Sequence, residues 1–96
     1  MNDKLAVWII DDDDISKYVL KRNLQELNVH NVKDFPDSIA PLEILKLNSA
    51  DPQSLPDIIF LDINMPILDG FQFMEDYTLF NDKIDKKIKI YMLSSS

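Results

Sequence analysis

Residues 57–70 read Asp-Ile-Ile-Phe-Leu-Asp-Ile-Asn-Met-Pro-Ile-Leu-Asp-Gly, and this stretch decides the fold. A short apolar run ends there in one carboxylate, Asp62, and a loop with Pro66 and Gly70 follows. A short apolar run bounded by turn residues is typical of a strand that is buried on both faces. An acid at the carboxyl end of such a strand faces the crevice in which α/β proteins bind ligands. We therefore expect Asp62 to be the chemical centre of the chain.

The rest of the chain alternates between strand and helix patterns. The predicted order is a strand at 5–10, a helix ending near 28, a weaker edge strand at 29–35, a helix from 39 to about 48, a strand at 58–61, a helix from 71 and a strand at 88–93. Such alternation implies right-handed βαβ units and a parallel sheet between two helix layers. We therefore expect an α/β, doubly wound fold that forms one domain, residues 1–96.

Helical spacing of apolar residues gives more detailed expectations for the helices. In the first helix the spaced residues are Ile15, Tyr18, Val19, Leu24 and Leu27. In the third helix the residues expected in the core are Phe71, Met74 and Phe80. Asp13 or Asp14 is the expected N-cap of the first helix, and Ser38 that of the second. Asp69 is expected to cap the third helix rather than to bind a metal.

The composition excludes several classes of function. The net charge of −7 gives the chain no basic face for nucleic acid and no polybasic segment for a membrane surface. The chain contains no cysteine, so it has neither a thiolate metal site nor a cysteine nucleophile. Its first apolar run, residues 5–10, is too short for a secretory core or a membrane span. We expect a cytoplasmic protein.

Polar side chains follow three of the predicted strands at the point where each strand ends. Asp11 and Asp12 follow the first strand, Asp62 the third and Ser94 the fourth. Because the carboxyl ends of parallel strands lie on one edge of a sheet, these groups should converge. Close carboxylates repel one another, and a hard cation such as Mg²⁺ relieves the repulsion and leaves room for a phosphate.

A carboxylate can also act as a nucleophile and form an aspartyl phosphate. The convergence therefore predicts a site for phosphoryl transfer assisted by Mg²⁺, with Asp62 as the acceptor. Two simpler interpretations stay open for single residues. Each acid of residues 11–14 could be only a loop or cap residue, and Ser94 alone is uninformative because serines are common in loops.

Three segments together resemble a known family. They are residues 7–12 (Val-Trp-Ile-Ile-Asp-Asp), 61–70 (Leu-Asp-Ile-Asn-Met-Pro-Ile-Leu-Asp-Gly) and 91–94 (Tyr-Met-Leu-Ser). In order and spacing they resemble the response-regulator receiver domains (CheY-like) of bacterial two-component signalling. The resemblance implies a flavodoxin-like fold of three layers, with the strand order 2-1-3-4 for the strands present here.

The resemblance also implies a role for each residue of the site. Asp62 matches the family's phospho-acceptor, Asp12 the direct metal ligand, and Asp11 its partner acting through water. The main-chain carbonyl of Asn64 matches a further metal ligand, and Ser94 the switch hydroxyl that moves toward the phosphoryl group. The implied donor is a phosphohistidine on a sensor histidine kinase or a histidine phosphotransfer protein. Such a chain is a signalling switch that changes conformation on phosphorylation, and it is not a turnover enzyme.

The chain differs from the family pattern after Ser94. Receiver domains continue with a fourth helix, a fifth strand and a fifth helix, and the fifth strand ends in a lysine that contacts the phosphoryl group. No residue here is equivalent to that lysine, because every lysine precedes Ser94. We therefore expect a receiver domain that is incomplete at its C-terminus, either a fragment or a chain that completes itself by association. An exposed fourth strand would favour self-association.

Two other functions compete with the phosphorylated switch. Phosphatases of the haloacid-dehalogenase type form an aspartyl phosphate too, but a second aspartate two residues after the nucleophile serves as their general acid. Position 64 is Asn here, so that acid is missing. The other alternative is a receiver-like module that binds proteins without phosphorylation, and the missing lysine keeps this alternative open.

Overall fold

The computed structural model describes residues 5–63, 70–84 and 86–93. Four strands and three helices alternate along these residues, and two short 3₁₀ turns follow α2 and α3. The elements are β1 (Ala6–Ile10), α1 (Asp14–Glu26), β2 (Asn31–Phe35), α2 (Ile39–Leu47), a turn at Pro52–Ser54, β3 (Ile58–Asp62), α3 (Gly70–Thr78), a turn at Asn81–Lys83 and β4 (Lys89–Leu93). None of the helices in this part of the chain has the length and apolar character needed to cross a membrane.

The four strands form one sheet in the order β2-β1-β3-β4, and every neighbouring pair is parallel. The predicted α/β fold and the order 2-1-3-4 are therefore confirmed. In the register of the central pair, Ile10 of β1 lies beside Leu61 of β3, and β4 continues the pairing with Leu93 beside Asp62. The carboxyl ends of the three strands consequently lie on one edge of the sheet.

Helices cover both faces of the sheet, so the fold has three layers. On one face α1 packs Leu24 against Val7 and Ile9 of β1. On the other face α2 and α3 contribute Leu45 and Phe73 to a larger cluster, which also contains strand residues and further helix residues: Trp8, Ile10, Leu42, Leu55, Ile59, Leu61, Tyr77 and Ile84. The central strands are thus buried on both sides, which explains why they consist of nearly continuous apolar runs.

The apolar spacing predicted α1 correctly, but only Leu24 of the spaced residues is buried; the exposed ones are Ile15, Tyr18, Val19 and Leu27. Two other detailed expectations about the helices were wrong. Phe71, which was expected in the core, is exposed, and Phe73 takes the core position of α3. Ser38 occupies the N-cap position of α2, but its side chain makes no capping hydrogen bond; Asp37 Oδ1 instead accepts from the Ile39 main-chain N–H at 2.9 Å.

An ionic clamp formed by Asp57 and Lys86 holds the amino-terminal ends of the strands, opposite the carboxyl ends that carry the acids. Asp57 Oδ2 accepts a hydrogen bond from the Ala6 main-chain N–H at 2.8 Å, and Asp57 Oδ1 lies 3.1 Å from Lys86 Nζ. The same ammonium group donates to the main-chain oxygens of Leu55, at 2.9 Å, and Pro52, at 3.2 Å. Asp57 therefore joins the start of β1 to the turn and to the segment that leads into β4.

We expect Asp57→Asn to lower the free energy of unfolding by about 1–3 kcal/mol at neutral pH, since it removes charge-assisted hydrogen bonds. Burial raises the pKa of Asp57, but the hydrogen bonds from Ala6 and Lys86 outweigh burial and hold that pKa below its ordinary value of 3.8. The carboxylate therefore stabilises the fold above that ordinary value, and its contribution is lost as the pH falls through the lowered pKa.

Urea unfolding at neutral pH and in acid measures this contribution. The difference in stability between Asp57→Asn and the native chain should shrink as the carboxylate is protonated. Asp82→Asn is the matched control, because Asp82 is exposed in the second 3₁₀ turn. If Asp57→Asn lowered the free energy of unfolding by the same amount at every pH, the Asp57 charge would not be what stabilises the fold.

Candidate functional site

Three carboxylates meet where β1 and β3 end. Because Ile10 lies beside Leu61 in the register, the next residues on the two strands, Asp11 and Asp62, become neighbours. Each of Asp11, Asp12 and Asp62 offers one carboxylate oxygen, and these three atoms lie within 4.8 Å of one another. Asp11 and Asp62 are buried, with 5% and 3% of their surface exposed, whereas Asp12 is exposed. The predicted convergence of these three acids is confirmed.

Main-chain hydrogen bonds fix the loop between β1 and α1. The Asp11 N–H donates to the carbonyl of Phe35 at 3.0 Å, which ties the loop to the end of β2. Asp11 Oδ1 accepts from the Asp13 N–H at 2.9 Å, which orients the Asp11 carboxylate. Asp13 is the N-cap of α1, and its side chain accepts from the Ile15 N–H at 3.3 Å and from Ser16 Oγ at 2.6 Å. The sequence predicted Asp13 or Asp14 as the N-cap of α1, and Asp13 is the residue that caps it.

Ion pairs attach the first turns of α1 to β2. The side chain of Lys17 is only 11% exposed, and its Nζ lies 3.4 Å from Asp14 Oδ1 and 3.9 Å from Asp34 Oδ1. Lys21 forms a second ion pair with Asp34. Lys17 also continues the helix from its cap, since its main-chain N–H donates to the Asp13 carbonyl at 3.1 Å. These contacts explain why α1 turns a lysine toward the sheet and leaves Ile15 in solvent.

The electrostatics of the site favour a cation. Burial raises the pKa of Asp11 and outweighs the hydrogen bond from the Asp13 N–H, which lowers it; the nearby charges of Asp62 and Asp12 raise it further. Among the described residues, no positively charged side chain contributes to the shift of this pKa. The Asp11 carboxylate is therefore buried against like charges, an arrangement that a bound cation would relieve.

The donor set suits a hard divalent ion. Carboxylate oxygens are the ligands that Mg²⁺ uses in proteins, and it is usually held by one or two carboxylates plus water. The three oxygens of Asp11, Asp12 and Asp62 could hold such an ion. Three other residues of the sequence predictions, Asn64, Asp69 and Ser94, lie outside the described residues.

We expect Asp11→Asn to stabilise the fold without metal and to weaken Mg²⁺ binding. The amide keeps the oxygen that accepts from the Asp13 N–H, while one of the mutually repelling charges is removed. Two unit charges 4.8 Å apart repel by about 3.5 kcal/mol at an effective dielectric constant of about 20. Only part of this repulsion is relieved when one of three charges is removed and solvent screens the rest, and we expect a net gain of about 1 kcal/mol. Folding raises the Asp11 pKa above its ordinary value of 3.8, so the charge penalty grows as the pH rises from that ordinary value and is complete above the raised pKa. The gain should therefore vanish in acid below the ordinary value.

Two measurements check this prediction. Urea unfolding in a chelator gives the stability of the metal-free chain, and a Mg²⁺ titration followed by Trp8 fluorescence gives the affinity. Trp8 precedes Asp11 by three residues on the same segment, and its ring lies 5.0 Å from that of Phe35. We expect Mg²⁺ to bind at least about tenfold more weakly to the variant. A metal-free variant less stable than the native chain at neutral pH would contradict the argument.

Two residues, Gly70 and Lys17, shape the site in ways that were not predicted from the sequence. Gly70 begins α3, and a Cβ atom placed on it would lie 2.8 Å from the main-chain oxygen of Asp62. One signal was available for this residue, since Gly70 is the only glycine in the chain. Lys17 gave no such signal, because a lysine in a helix is ordinarily solvated.

The fold and the site define a class of protein: a doubly wound α/β domain with an aspartate cluster at the carboxyl edge of its sheet. Comparison with protein families identifies this class, since the response regulator receiver domain matches residues 7–96. The chain belongs to this family.

A curated relative is a protein-glutamate methylesterase/protein-glutamine glutaminase of Thiobacillus denitrificans, 33% identical over 73 residues. The match covers 75% of this chain and 19% of that protein, so the chain corresponds to a small part of the relative.

Solved structures show the same fold. A two-component response regulator from Cytophaga hutchinsonii is 28% identical, with a TM-score of 0.78 over 95% of this chain and 68% of the other. A response regulator receiver protein from Dyadobacter fermentans is 26% identical, with a TM-score of 0.78 over 96% and 70%. The receiver domain of the histidine kinase CKI1 from Arabidopsis thaliana, crystallised with Mg²⁺ and BeF₃⁻, is 23% identical, with a TM-score of 0.79 over 99% and 70%.

Proposed function

We propose that this chain is the phospho-accepting switch of a two-component phosphorelay, with Asp62 as the acceptor and Mg²⁺ as the cofactor. The observation that carries the proposal is the cluster of Asp11, Asp12 and Asp62, whose oxygens lie within 4.8 Å of one another. Membership of the receiver family supports the signalling role. The CKI1 receiver domain crystallised with Mg²⁺ supports the choice of metal.

In the proposed reaction, a carboxylate oxygen of Asp62 attacks the phosphorus of a phosphohistidine on a partner protein. The new bond is the P–O bond of an acyl phosphate, the P–N bond breaks, and the imidazole leaves with its electron pair and takes up a proton. When bound, Mg²⁺ supplies positive charge that offsets the negative charge on the phosphoryl oxygens. No protein group needs to activate Asp62, because a carboxylate is already a nucleophile when ionised.

Other residues of the chain would bind the metal and contact the phosphoryl group. Asp11 and Asp12 would hold the metal together with Asp62. The hydrogen bond that the Asp11 N–H donates to Phe35 and the one that the Asp11 carboxylate accepts from Asp13 keep that carboxylate in place. We further propose that the main-chain carbonyl of Asn64 is a metal ligand and that the Ser94 hydroxyl contacts the phosphoryl group. Both roles come from the family resemblance.

Incubation with acetyl phosphate tests the proposal without a partner. The intact mass should rise by one phosphoryl group, only when Mg²⁺ is present, and hydroxylamine should remove the group because acyl phosphates react with it. If the chain binds Mg²⁺, as read by Trp8 fluorescence, but gains no phosphoryl group, the phosphorylation-independent binding module becomes the better description.

We propose a sensor histidine kinase or a histidine phosphotransfer protein as the partner, and the exposed face of α1 as part of its docking surface. Ile15, Tyr18 and Val19 are spaced on one face of the helix and are 74%, 54% and 53% exposed. They stand beside the exposed acids that follow β1. An apolar patch next to a reactive group suits a partner that must bring its own reactive side chain to that group.

We expect Ile15→Asp to slow transfer from a phosphorylated histidine phosphotransfer protein by at least about tenfold, because it places a charge in the centre of an apolar contact. Labelling by acetyl phosphate should be unchanged, since that small donor needs no docking surface. Leu27→Asp is the matched control, because Leu27 is 60% exposed just beyond the far end of α1. Equal loss with both donors would assign Ile15 to the site itself and contradict the docking role.

We also propose that the chain acts in signalling and turns over no substrate of its own. The methylesterase of Thiobacillus denitrificans does not change this proposal, because the match covers only 19% of that protein. The cytoplasmic location and the single domain over residues 1–96 stay predictions.

A further inference from the structure

A buried lysine lies near the start of α1, the helix that follows Asp11 and Asp12. The side chain of Lys17 is only 11% exposed, and its Nζ lies 3.4 Å from Asp14 Oδ1 and 3.9 Å from Asp34 Oδ1. The Asp14 side chain is 97% exposed, and exposed ion pairs contribute little, so the partly buried Asp34 is the main partner. Lysine is rarely buried without such a partner. The buried ammonium group therefore connects α1 to β2.

The Asp11 carboxylate depends on the same two elements. The Asp11 N–H donates to the carbonyl of Phe35 at the end of β2, at 3.0 Å. Asp11 Oδ1 accepts from the N–H of Asp13, the N-cap of α1, at 2.9 Å. Any shift of the start of α1 relative to the end of β2 would therefore turn the Asp11 carboxylate away from its position beside Asp62.

Lys17 joins the two points from which Asp11 is held. Its main-chain N–H donates to the Asp13 carbonyl at 3.1 Å, which fixes the lysine one turn after the cap. Its ammonium group reaches Asp34, which directly precedes Phe35 in the chain. The contacts thus close a ring that runs through five residues: Asp11, Asp13, Lys17, Asp34 and Phe35.

We propose that Lys17 is a positioning residue that sets the affinity of the acidic cluster (Asp11, Asp12 and Asp62) for Mg²⁺, an inference that rests on the proposed function. Lys17 acts by holding β2 against the start of α1, which keeps the Asp11 carboxylate oriented toward the ion. Residues that orient the ligands of a metal commonly change its affinity by about 10- to 100-fold. Lys17 touches neither the ion nor the phosphoryl group in this role.

Positioning and simple charge repulsion predict opposite effects. A positive charge near a cation site repels the ion, so removal of the Lys17 ammonium group should by Coulomb's law alone strengthen Mg²⁺ binding. Loss of a positioning contact should weaken Mg²⁺ binding instead. The direction of the change in affinity therefore distinguishes the two roles.

Lys21 offers a matched control on the same helix. It also forms an ion pair with Asp34, but it lies one turn further from the N-cap, and its side chain is 41% exposed. Lys21→Met removes the same charge and makes the same change in helix propensity as Lys17→Met, while the ring through Lys17 stays closed. Effects of charge or of propensity alone should therefore be common to both variants.

A Mg²⁺ titration followed by Trp8 fluorescence tests the proposal. Lys17→Met keeps an apolar stem in the buried position, and we expect it to bind Mg²⁺ about tenfold more weakly than the native chain. Lys17→Arg restores the charge and should recover most of the affinity, and Lys21→Met should bind at least as tightly as the native chain. Native or tighter binding by Lys17→Met would overturn the proposal, and so would equal weakening by Lys17→Met and Lys21→Met.

Amide hydrogen exchange without metal, read by NMR, tests the positioning itself. In Lys17→Met the N–H groups of Asp11 and Asp13 should exchange faster by a larger factor than the N–H of Ile59, which lies fully buried in β3 and reports unfolding of the whole chain. Equal acceleration at all three would show a general loss of stability and overturn the positioning role.

The two proposals fail in different ways. A native chain that binds Mg²⁺ but accepts no phosphoryl group would contradict the proposed function and leave the role of Lys17 intact. A phosphorylated native chain whose Lys17→Met variant keeps the native Mg²⁺ affinity would do the reverse.

Discussion

Replacing Asp62 with Asn is expected to reduce phosphorylation by acetyl phosphate and Mg²⁺ by more than about two orders of magnitude. The amide oxygen has almost no nucleophilic character, so the acyl phosphate cannot form. The substitution keeps the shape of a side chain that is only 3% exposed, and it removes one charge from the acidic cluster. We therefore expect the variant to fold and to be at least as stable as the native chain without metal. Intact-mass measurement after incubation reads the phosphoryl group directly.

The controls separate the acceptor from the metal ligands. Asp82→Asn removes an exposed carboxylate outside the cluster and should be labelled like the native chain. Asp12→Asn leaves the acceptor in place, so its labelling should recover as the Mg²⁺ concentration is raised, whereas that of Asp62→Asn should not. Labelling of Asp62→Asn that persisted at the native level would show that another side chain accepts the phosphoryl group, and the assignment of Asp62 would be lost.

The acidic cluster was predictable because it depends on two regularities that a sequence displays. Apolar runs mark buried strands, and parallel strands end on one edge. These two facts place Asp11 and Asp62, which are 51 residues apart in the chain, on the same edge of the sheet. The strand order came from the family resemblance, since nothing in the strands themselves states which of them are neighbours.

The orientation of α1 was not predictable, and the reason is physical. The spacing of Ile15, Tyr18 and Val19 indicates a helix correctly, but an apolar stripe does not state whether it meets the sheet or a partner. The sheet-facing side is instead set by Lys17, whose stem is buried and whose ammonium group reaches Asp34 on β2. That contact joins distant parts of the chain, so no local pattern could reveal it.

The effect of replacing Gly70 is a third property that the sequence alone does not predict. Helix propensity by itself would predict that alanine stabilises the fold at this position, and the contacts of Gly70 indicate the opposite. The described part of the chain contains no glycine with a positive φ, so Gly70 is not required for its conformational freedom. Inside a helix, alanine is ordinarily favoured over glycine by about 0.5–1 kcal/mol. At this position the neighbouring main chain decides the outcome.

Gly70→Ala is expected to destabilise the fold by about 1–3 kcal/mol, the usual cost of overpacking. The added Cβ would lie 2.8 Å from the main-chain oxygen of Asp62 and 2.9 Å from Cα of Ile63. The third neighbour, Cε of Met92 at 3.2 Å, is the end of a flexible side chain and can move away. The first two are main-chain atoms at the end of β3, and the Gly70 N–H also donates to the Ile63 carbonyl at 3.0 Å. Strain from the methyl group therefore passes directly to Asp62.

The same substitution should weaken Mg²⁺ binding, because a shift of the end of β3 moves Asp62 relative to Asp11 and Asp12. A displacement of about 1 Å at a reactive centre can cost about a hundredfold in rate, so phosphorylation should slow even where the chain is fully folded. Urea unfolding measures the first effect, and Trp8 fluorescence and acetyl phosphate labelling measure the others. Glu75→Ala is the control, since Glu75 is exposed in the middle of α3 and only helix propensity changes there. If Gly70→Ala proved more stable than the native chain, the main chain at Asp62 and Ile63 would be able to move away from the added Cβ atom, and the predicted strain would be contradicted.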